Sequence, residues 1–281
     1  MIISHKHRFI FVRTRKVASS SLEIALAKLL EPSDFATRQS DREKQTGQLF
    51  PDFDSRIFGG FDKRLRPIFP YGHAPIAQAY RLFGSRVQDY KVFSVDRNPW
   101  DRAVSTFFWS NRSTDMRDLP EDAQRSALRA FLKSSANPGL KRRLFGINAH
   151  RDISQRHLYC IGDVPMVDFM LRFENLNEDL EQLSTFLDLP EPIDVANIHA
   201  KTQHRPKASR AYQSFYDDET RKLVEDAAQW EIENLGYRFD NTPPQFEPDP
   251  KRTEAKARYI AQVSRSKAQQ GGRQSPRHVH P

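Results

Sequence analysis

The sequence has 281 residues, of which 38% are hydrophobic, and it carries a formal net charge of +8 at pH 7. That length suffices for one large α/β domain or two small ones. No apolar run approaches the roughly 18 residues of a membrane span, and basic residues interrupt the N-terminal segment where a signal peptide would be continuously apolar, so we predict a cytoplasmic protein. Cys160 is the only cysteine, which excludes an internal disulfide and a cysteine-based metal cluster.

Most of the positive charge lies near the C-terminus. Residues 251–281 contain eight Lys and Arg and one Glu, so this segment accounts for +7 of the +8. We therefore predict a nearly neutral domain over residues 1–247 that has no specific nucleic-acid partner, followed by a basic, disordered tail over residues 248–281. One short basic helix is expected within the tail, at residues 251–263.

The predicted strands and helices alternate along the chain. Residues 8–12 form a strand and residues 21–30 a helix, whereas residues 32–66 have little regular structure. The elements predicted further on are a helix closed by Gly84, a strand at 89–96, a helix at 120–134, a strand at 166–173, a helix at 177–189 and one helix at 217–235 ended by Gly236. This order predicts the α/β class: a single P-loop-like domain with a central, mostly parallel sheet flanked by helices.

The segment RKVASSSLEIAL, residues 15–26, leads from the first predicted strand into the first helix. Free N–H groups and the dipole at a helix start favour an anion there. Lys16 adds a positive charge, and Ser19, Ser20 and Ser21 add hydroxyl donors. An ordinary serine-capped helix beside a solvated lysine is the alternative, and it stays open at this point.

A second segment of this kind is RNPWDRAVS, residues 97–105. Arg97 stands where a strand ends, and Pro99 suits the first position of a helix. The spacing of Trp100, Val104 and Phe107 predicts that this helix is fixed to the core, with Ser105 on another face. Because ligands bind at the carboxyl ends of parallel strands, both segments are expected to meet one ligand. Alternatively, Arg97 pairs only with Asp96 or Asp101.

The two segments resemble the motifs of the sulfotransferases that use 3'-phosphoadenosine 5'-phosphosulfate (PAPS). The resemblance is greater to the carbohydrate branch, which includes the heparan and chondroitin sulfotransferases and their bacterial relatives. RKVASSS is similar to its 5'-phosphosulfate loop and RNPWDRAVS to its 3'-phosphate motif; RFENLNEDL and LGYRF are also typical, so the resemblance covers about residues 7–240. The chain departs from the family in having Arg15 where proline is frequent and no glycine at Ala18 or Ser19.

The resemblance implies PAPS as the sulfate donor, no required metal, and a hydroxyl acceptor on a glycan or glycolipid. Lys16 would neutralise the bridging oxygen as its bond to sulfur breaks. Arg97 and Ser105 would hold the 3'-phosphate. The full set of donor-binding residues that it implies is Arg15, Lys16, Val17, Ala18, Ser19, Ser20, Ser21, Arg97 and Ser105.

His73 is the predicted base, because the resemblance places a histidine at a similar position in the carbohydrate branch. Glu174, His150 and His204 are the other candidates for the base. The basic segment 201–212 is expected to close over the adenosine or to contact an acidic sugar.

Two other functions are compatible with parts of the sequence. The first is that of a P-loop kinase, which is disfavoured because the motif Gly-x4-Gly-Lys-Ser/Thr is absent. The second is that of a polyanion-binding protein that acts through the basic tail.

Overall fold

A five-stranded sheet forms the centre of the fold in the computed structural model, which describes residues 1–37, 40–50, 73–114, 116–136, 151–195, 211–240 and 246–271. Its strands are Ile2–Ser4 (β1), Phe9–Val12 (β2), Phe35–Ala36 (β3), Lys91–Asp96 (β4) and Phe169–Arg172 (β7). They lie in the order β3-β1-β2-β4-β7. The three longest, β2, β4 and β7, are parallel, whereas β1 is antiparallel to both β2 and β3. A separate hairpin pairs Cys160–Ile161 (β5) with Val164–Pro165 (β6). The predicted α/β class with a mostly parallel sheet is confirmed.

The central strands are buried on both faces, as expected for a parallel sheet covered by helices. In β2 the side chains alternate with the period of two that strand geometry imposes. Phe9 and Phe11 enter one core cluster and Ile10 and Val12 the other. The ring of Phe93 in β4 stacks on Phe11 with centroids 5.2 Å apart. The two residues are opposite each other in the parallel pairing of β2 and β4, and the carboxyl ends of both strands emerge side by side.

Helices cover both faces of this sheet. They are Ser19–Ala27 (α1), Ser40–Thr46 (α2), Ile76–Phe83 (α3), Pro99–Ser110 (α4), Glu121–Ala136 (α5), Arg156–Tyr159 (α6), Leu176–Phe186 (α7), Asp218–Ala227 (α8), Gln229–Leu235 (α9) and Arg252–Gly271 (α10). The core cluster that contains Phe9 and Phe11 also holds Leu26 of α1 and Leu183 of α7, whereas α3, α4 and α5 contribute to the other cluster. The predicted stripe of α4 is confirmed, because Trp100, Val104 and Phe107 are all buried.

Two segments differ here from the sequence prediction. The segment expected to be irregular contains β3 and α2, and its remainder from residue 51 lies outside the described residues. The single helix predicted at 217–235 is divided into α8 and α9 at the buried Ala228, whose φ of −117° and ψ of 24° are not helical. The break accompanies the burial of Glu231 in α9, which reaches Arg102 of α4 at 3.7 Å. Tertiary pairing thus overrides the helix propensity of this stretch.

The helix expected within the basic tail is present and longer than expected, since α10 extends to Gly271. Its Ile260 side chain is buried in the core, and its Lys256 Nζ donates a hydrogen bond to the carbonyl oxygen of Gln88 at 3.0 Å. Arg252 forms an ion pair with Asp168 at 2.6 Å. Apolar side chains on one face of a polar segment explain this packing. Residues 272–281 lie outside the described residues.

Candidate active site

The two segments singled out in the sequence lie next to each other at one edge of the sheet. The first loop, residues 13–18, joins β2 to α1, and the second loop, residues 97 and 98, joins β4 to α4. The hydroxyl of Thr14 donates a hydrogen bond to the carbonyl oxygen of Val95. Nη1 of Arg97 donates to the carbonyl oxygen of Lys16 at 2.9 Å. The structure therefore brings the two segments together, as the parallel order of β2 and β4 requires.

The first loop makes its tight turn without glycine. Lys16 and Ala18 have φ values of 63° and 57°, in the left-handed region that non-glycine residues rarely adopt. No side chain caps the N-terminus of α1, so its first turn faces the loop without a protein carboxylate or hydroxyl as cap. An uncapped helix start beside a lysine suits an anion.

Replacing Ala18 by Gly is expected to stabilise the fold, because glycine adopts a left-handed φ without steric cost. The relieved strain of about 1–2 kcal/mol exceeds the entropy that glycine adds to the unfolded chain, about 0.4–1 kcal/mol. Urea unfolding measures the difference. Ala25→Gly, in the interior of α1, is the matched control and should destabilise by about 1 kcal/mol or more. Equal destabilisation by both variants would contradict the left-handed conformation of Ala18.

Behind the loop lies Arg13, which sequence reasoning missed. Its Nε donates to Oγ of Ser19 at 3.4 Å, and its Nη2 donates to Oγ of Ser20 at 3.1 Å. A guanidinium has only donors, so these contacts use serine lone pairs and leave each hydroxyl proton to be donated elsewhere. Arg13 is itself paired with the buried Glu23 at 3.5 Å. The signal in the sequence is a basic residue directly after the strand, three positions before Lys16.

The remaining loop residues have different surroundings. Val17 is 1% exposed and packs in the core, so that only its backbone can contact a ligand. The peptide of Arg15 is bound by the side chain of Gln155, which accepts from its N–H at 2.6 Å and donates to its carbonyl oxygen at 3.0 Å. Ser21 is buried at the first turn of α1, one residue beyond the serines that Arg13 contacts.

Lys16 points toward α4. Its Nζ lies 5.4 Å from the centroid of the Trp109 ring, and the guanidinium of Arg112 lies 4.5 Å from the same ring. Ser105 precedes Trp109 by four residues and therefore shares its side of the helix. The side chains of Ser105 and Trp109 are both half-buried. The expected donor residue Lys16 thus lies over an aromatic ring on the same side of α4 as Ser105, and the sequence analysis did not include this ring in the site.

Arg97 makes the contact that was weighed as the alternative. Its Nε donates to Oδ2 of Asp101 at 2.5 Å, and its guanidinium lies 4.1 Å from the centroid of the Phe173 ring. At the start of α4, Oδ1 of Asn98 accepts the N–H groups of Trp100 and Asp101. This helix start is therefore capped, in contrast to that of α1, and an anion bound here would depend on side chains.

His73 is hydrogen-bonded through Nδ1 to the carbonyl oxygen of Arg13, at 3.1 Å. Because a carbonyl oxygen only accepts, Nδ1 carries the proton and Nε2 keeps a lone pair. Burial, together with the charges of Arg13 and Arg15, holds the pKa of His73 well below its ordinary value of 6.5. The imidazole is therefore neutral at pH 7 and able to accept a proton.

Of the other candidate bases, Glu174 is described, and it contacts the second loop. Oε1 of Glu174 accepts the backbone N–H of Asn98 at 2.7 Å, and burial raises the pKa of Glu174. Its carboxylate thus orders the second loop. His150, His204 and the basic segment up to residue 210 lie outside the described residues, and Tyr212, the last residue of that segment, donates a hydrogen bond to the carbonyl oxygen of Phe239.

The carboxyl edge of the parallel sheet, with an uncapped helix start beside Lys16 and joined to Arg97, is the kind of place at which α/β proteins bind anionic ligands. A family model described as the sulfotransferase family matches residues 1–238, and the chain belongs to that family. The resemblance to sulfotransferases is confirmed. Searches among curated proteins and among solved structures gave no significant match.

Two further properties bear on the site. None of the helices in the described ranges is long and apolar enough to cross a membrane. In the same part of the chain, no group of three or more His, Cys, Asp and Glu side chains is arranged to hold a metal ion.

Proposed function

We propose that the protein transfers a sulfuryl group from PAPS to an acceptor hydroxyl on a carbohydrate or glycolipid, in the cytoplasm. Membership of the sulfotransferase family supports sulfuryl transfer. The observation that carries the choice of donor is the 2.9 Å hydrogen bond from Arg97 to the carbonyl oxygen of Lys16. It brings together two loops that each carry a basic side chain, so a ligand with two anionic groups could contact both.

The residues present fit a donor of this kind. The uncapped start of α1, with Ser19 and Ser20 held by Arg13, would bind the 5'-phosphosulfate through N–H and O–H donors. Arg97 and Ser105 would bind the 3'-phosphate, since guanidinium and hydroxyl donors suit phosphate oxygens. A P-loop kinase fits less well, because the first loop has no glycine with which to surround a triphosphate.

The proposed chemistry assigns a task to each side chain. PAPS would supply the sulfuryl group, and its 5'-phosphate oxygen would leave with the electrons of the S–O bond. Lys16 would neutralise the charge that develops on that oxygen. Nε2 of His73 would take the proton of the attacking hydroxyl, while its Nδ1–H keeps the ring oriented on Arg13.

Polyanion binding through the basic tail is disfavoured by the packing of α10. Arg252 and Lys256 are engaged with Asp168 and the carbonyl oxygen of Gln88, so part of the positive charge of the tail is used within the fold.

Thermal denaturation with two nucleotides tests the donor. At a concentration about 100 times its dissociation constant, 3',5'-adenosine bisphosphate is expected to stabilise the folded protein by about 2.7 kcal/mol and to raise its Tm by about 5–10 °C. ATP with Mg²⁺ should have a much smaller effect. In the Arg97→Ala variant, the preference for the bisphosphate over adenosine 5'-monophosphate should disappear. A Tm shift with ATP and Mg²⁺ but none with 3',5'-adenosine bisphosphate would indicate a kinase.

The acceptor is tested separately, by measuring the transfer of labelled sulfate to a panel of glycans and glycolipids.

A further inference from the structure

Gln155 holds the first loop from outside the proposed donor site. We propose that Gln155 is a positioning residue for sulfuryl transfer: its carboxamide fixes the peptide of Arg15 and thereby sets the place of Lys16. The side chain is 1% exposed, accepts the Arg15 N–H at 2.6 Å and donates to the Arg15 carbonyl oxygen at 3.0 Å. This inference rests on the proposed function, since it assigns Gln155 a part in placing Lys16 for that reaction.

A two-point contact of this kind determines both the position and the orientation of a peptide. A single hydrogen bond would allow the peptide to rotate about it, whereas an amide that both accepts and donates fixes the peptide plane. The next residue, Lys16, has a φ of 63°, which the chain does not adopt without external support. Gln155 supplies that support at the residue directly before the strained position.

Gln155 is itself held by a buried ionic network. Its backbone N–H donates to Oε1 of Glu231 at 2.6 Å, and Glu231 lies 3.7 Å from Arg102. Arg102 forms an ion pair with Asp96, whose Oδ1 accepts the backbone N–H of Arg97 at 2.7 Å. One network therefore contacts the first loop through Gln155 and the second loop through Asp96. This arrangement fixes the distance between the two proposed phosphate sites.

The chain offers a matched control in Gln124. This glutamine is also 1% exposed, and its Nε2 donates to the carbonyl oxygens of Arg117 and Leu119 at 3.1 and 2.9 Å. It orders a turn before α5, and none of its hydrogen bonds involves the candidate active site. A change at Gln124 therefore reports the general cost of altering a buried glutamine.

The test uses Gln155→Glu and Gln155→Leu, with Gln124→Leu as control. Gln155→Glu keeps the acceptor but places an oxygen against the Arg15 carbonyl, and Gln155→Leu removes both contacts without adding charge. In both Gln155 variants, affinity for adenosine 5'-monophosphate is expected to fall about tenfold and kcat for sulfate transfer about 100-fold. Affinity for adenosine 3'-monophosphate should stay within about twofold, because Asp96 and Asp101 still hold Arg97 when the Lys16 peptide shifts. The Gln124→Leu variant should leave both nucleotide affinities and kcat near those of the wild type.

Other results would overturn either this proposal or the proposed function on which it rests. Unchanged kcat and 5'-nucleotide affinity in Gln155→Leu would show that the contact does not place Lys16. Equal loss of both nucleotide affinities, or a Gln155→Leu variant that does not fold, would make Gln155 a residue of general stability. A wild-type protein that binds neither nucleotide would instead overturn the proposed donor, and the two failures are therefore distinguishable.

Discussion

Replacing Lys16 by Ala is expected to lower kcat for sulfate transfer by about 10²–10³-fold, the usual cost of removing one group that stabilises developing negative charge. Affinity for 3',5'-adenosine bisphosphate should change only a few fold, because Arg13, Arg15 and Arg97 remain. The Nζ of Lys16 lies 5.4 Å from the Trp109 centroid in a half-buried position, where a charge acts more strongly than in water. Steady-state kinetics and calorimetric titration measure the two quantities.

Arg97→Ala provides the contrasting variant. It should weaken donor affinity by about 10–100-fold and affect kcat less, because Arg97 is proposed to hold the phosphate that does not react. Since the substitution would also remove the hydrogen bond between Arg97 and Asp101, Asp101→Asn is the matched control. Asp101→Asn should keep or raise donor affinity by releasing the guanidinium. If Lys16→Ala and Arg97→Ala both kept wild-type kinetics, the assigned site would be wrong.

The parts of the site that could be predicted from the sequence depend on local patterns. A β-prone run followed by small polar residues and an amphipathic stretch predicted β2, the first loop and α1. Pro99 indicated the start of α4, and Gly84 and Gly236 the ends of α3 and α9, as the structure confirms. Each of these signals lies within a few residues of the feature that it specifies.

The parts that could not be predicted depend on contacts between distant residues. Gln155 and Arg15 are separated by 140 positions, and nothing in RDISQ indicates that the glutamine binds a loop peptide. The same holds for the pairing of Arg102 with Glu231, which accompanies the break at Ala228. Arg13 could have been noticed in the sequence as a basic residue directly after the strand. Its contacts with Ser19 and Ser20 depend on the left-handed turn at Lys16 and Ala18, which the sequence did not indicate because the loop has no glycine.

The second large effect is expected for His73→Asn, which should lower kcat by about 10²–10⁴-fold, the contribution typical of a general base. Asparagine keeps an N–H that can donate to the carbonyl oxygen of Arg13 but removes the lone pair of Nε2. His5→Asn is the matched control, because His5 is also hydrogen-bonded through Nδ1, to the hydroxyl of Tyr90 at 2.9 Å. The control should retain wild-type kcat.

The pH dependence adds a readout that a merely structural effect would not move. In the free protein the pKa of His73 is lowered by burial and by Arg13 and Arg15, so His73 stays neutral as the pH falls through 6.5. The ratio kcat/KM for the donor should therefore stay level from pH 8 to about pH 6 and fall only well below that. Bound donor brings negative charge beside the same arginines and raises the pKa, so the acid limb of kcat should lie at higher pH than that of kcat/KM. An acid limb that persists unchanged in His73→Asn would assign the proton transfer to another group, with Glu174, His150 and His204 next to be replaced.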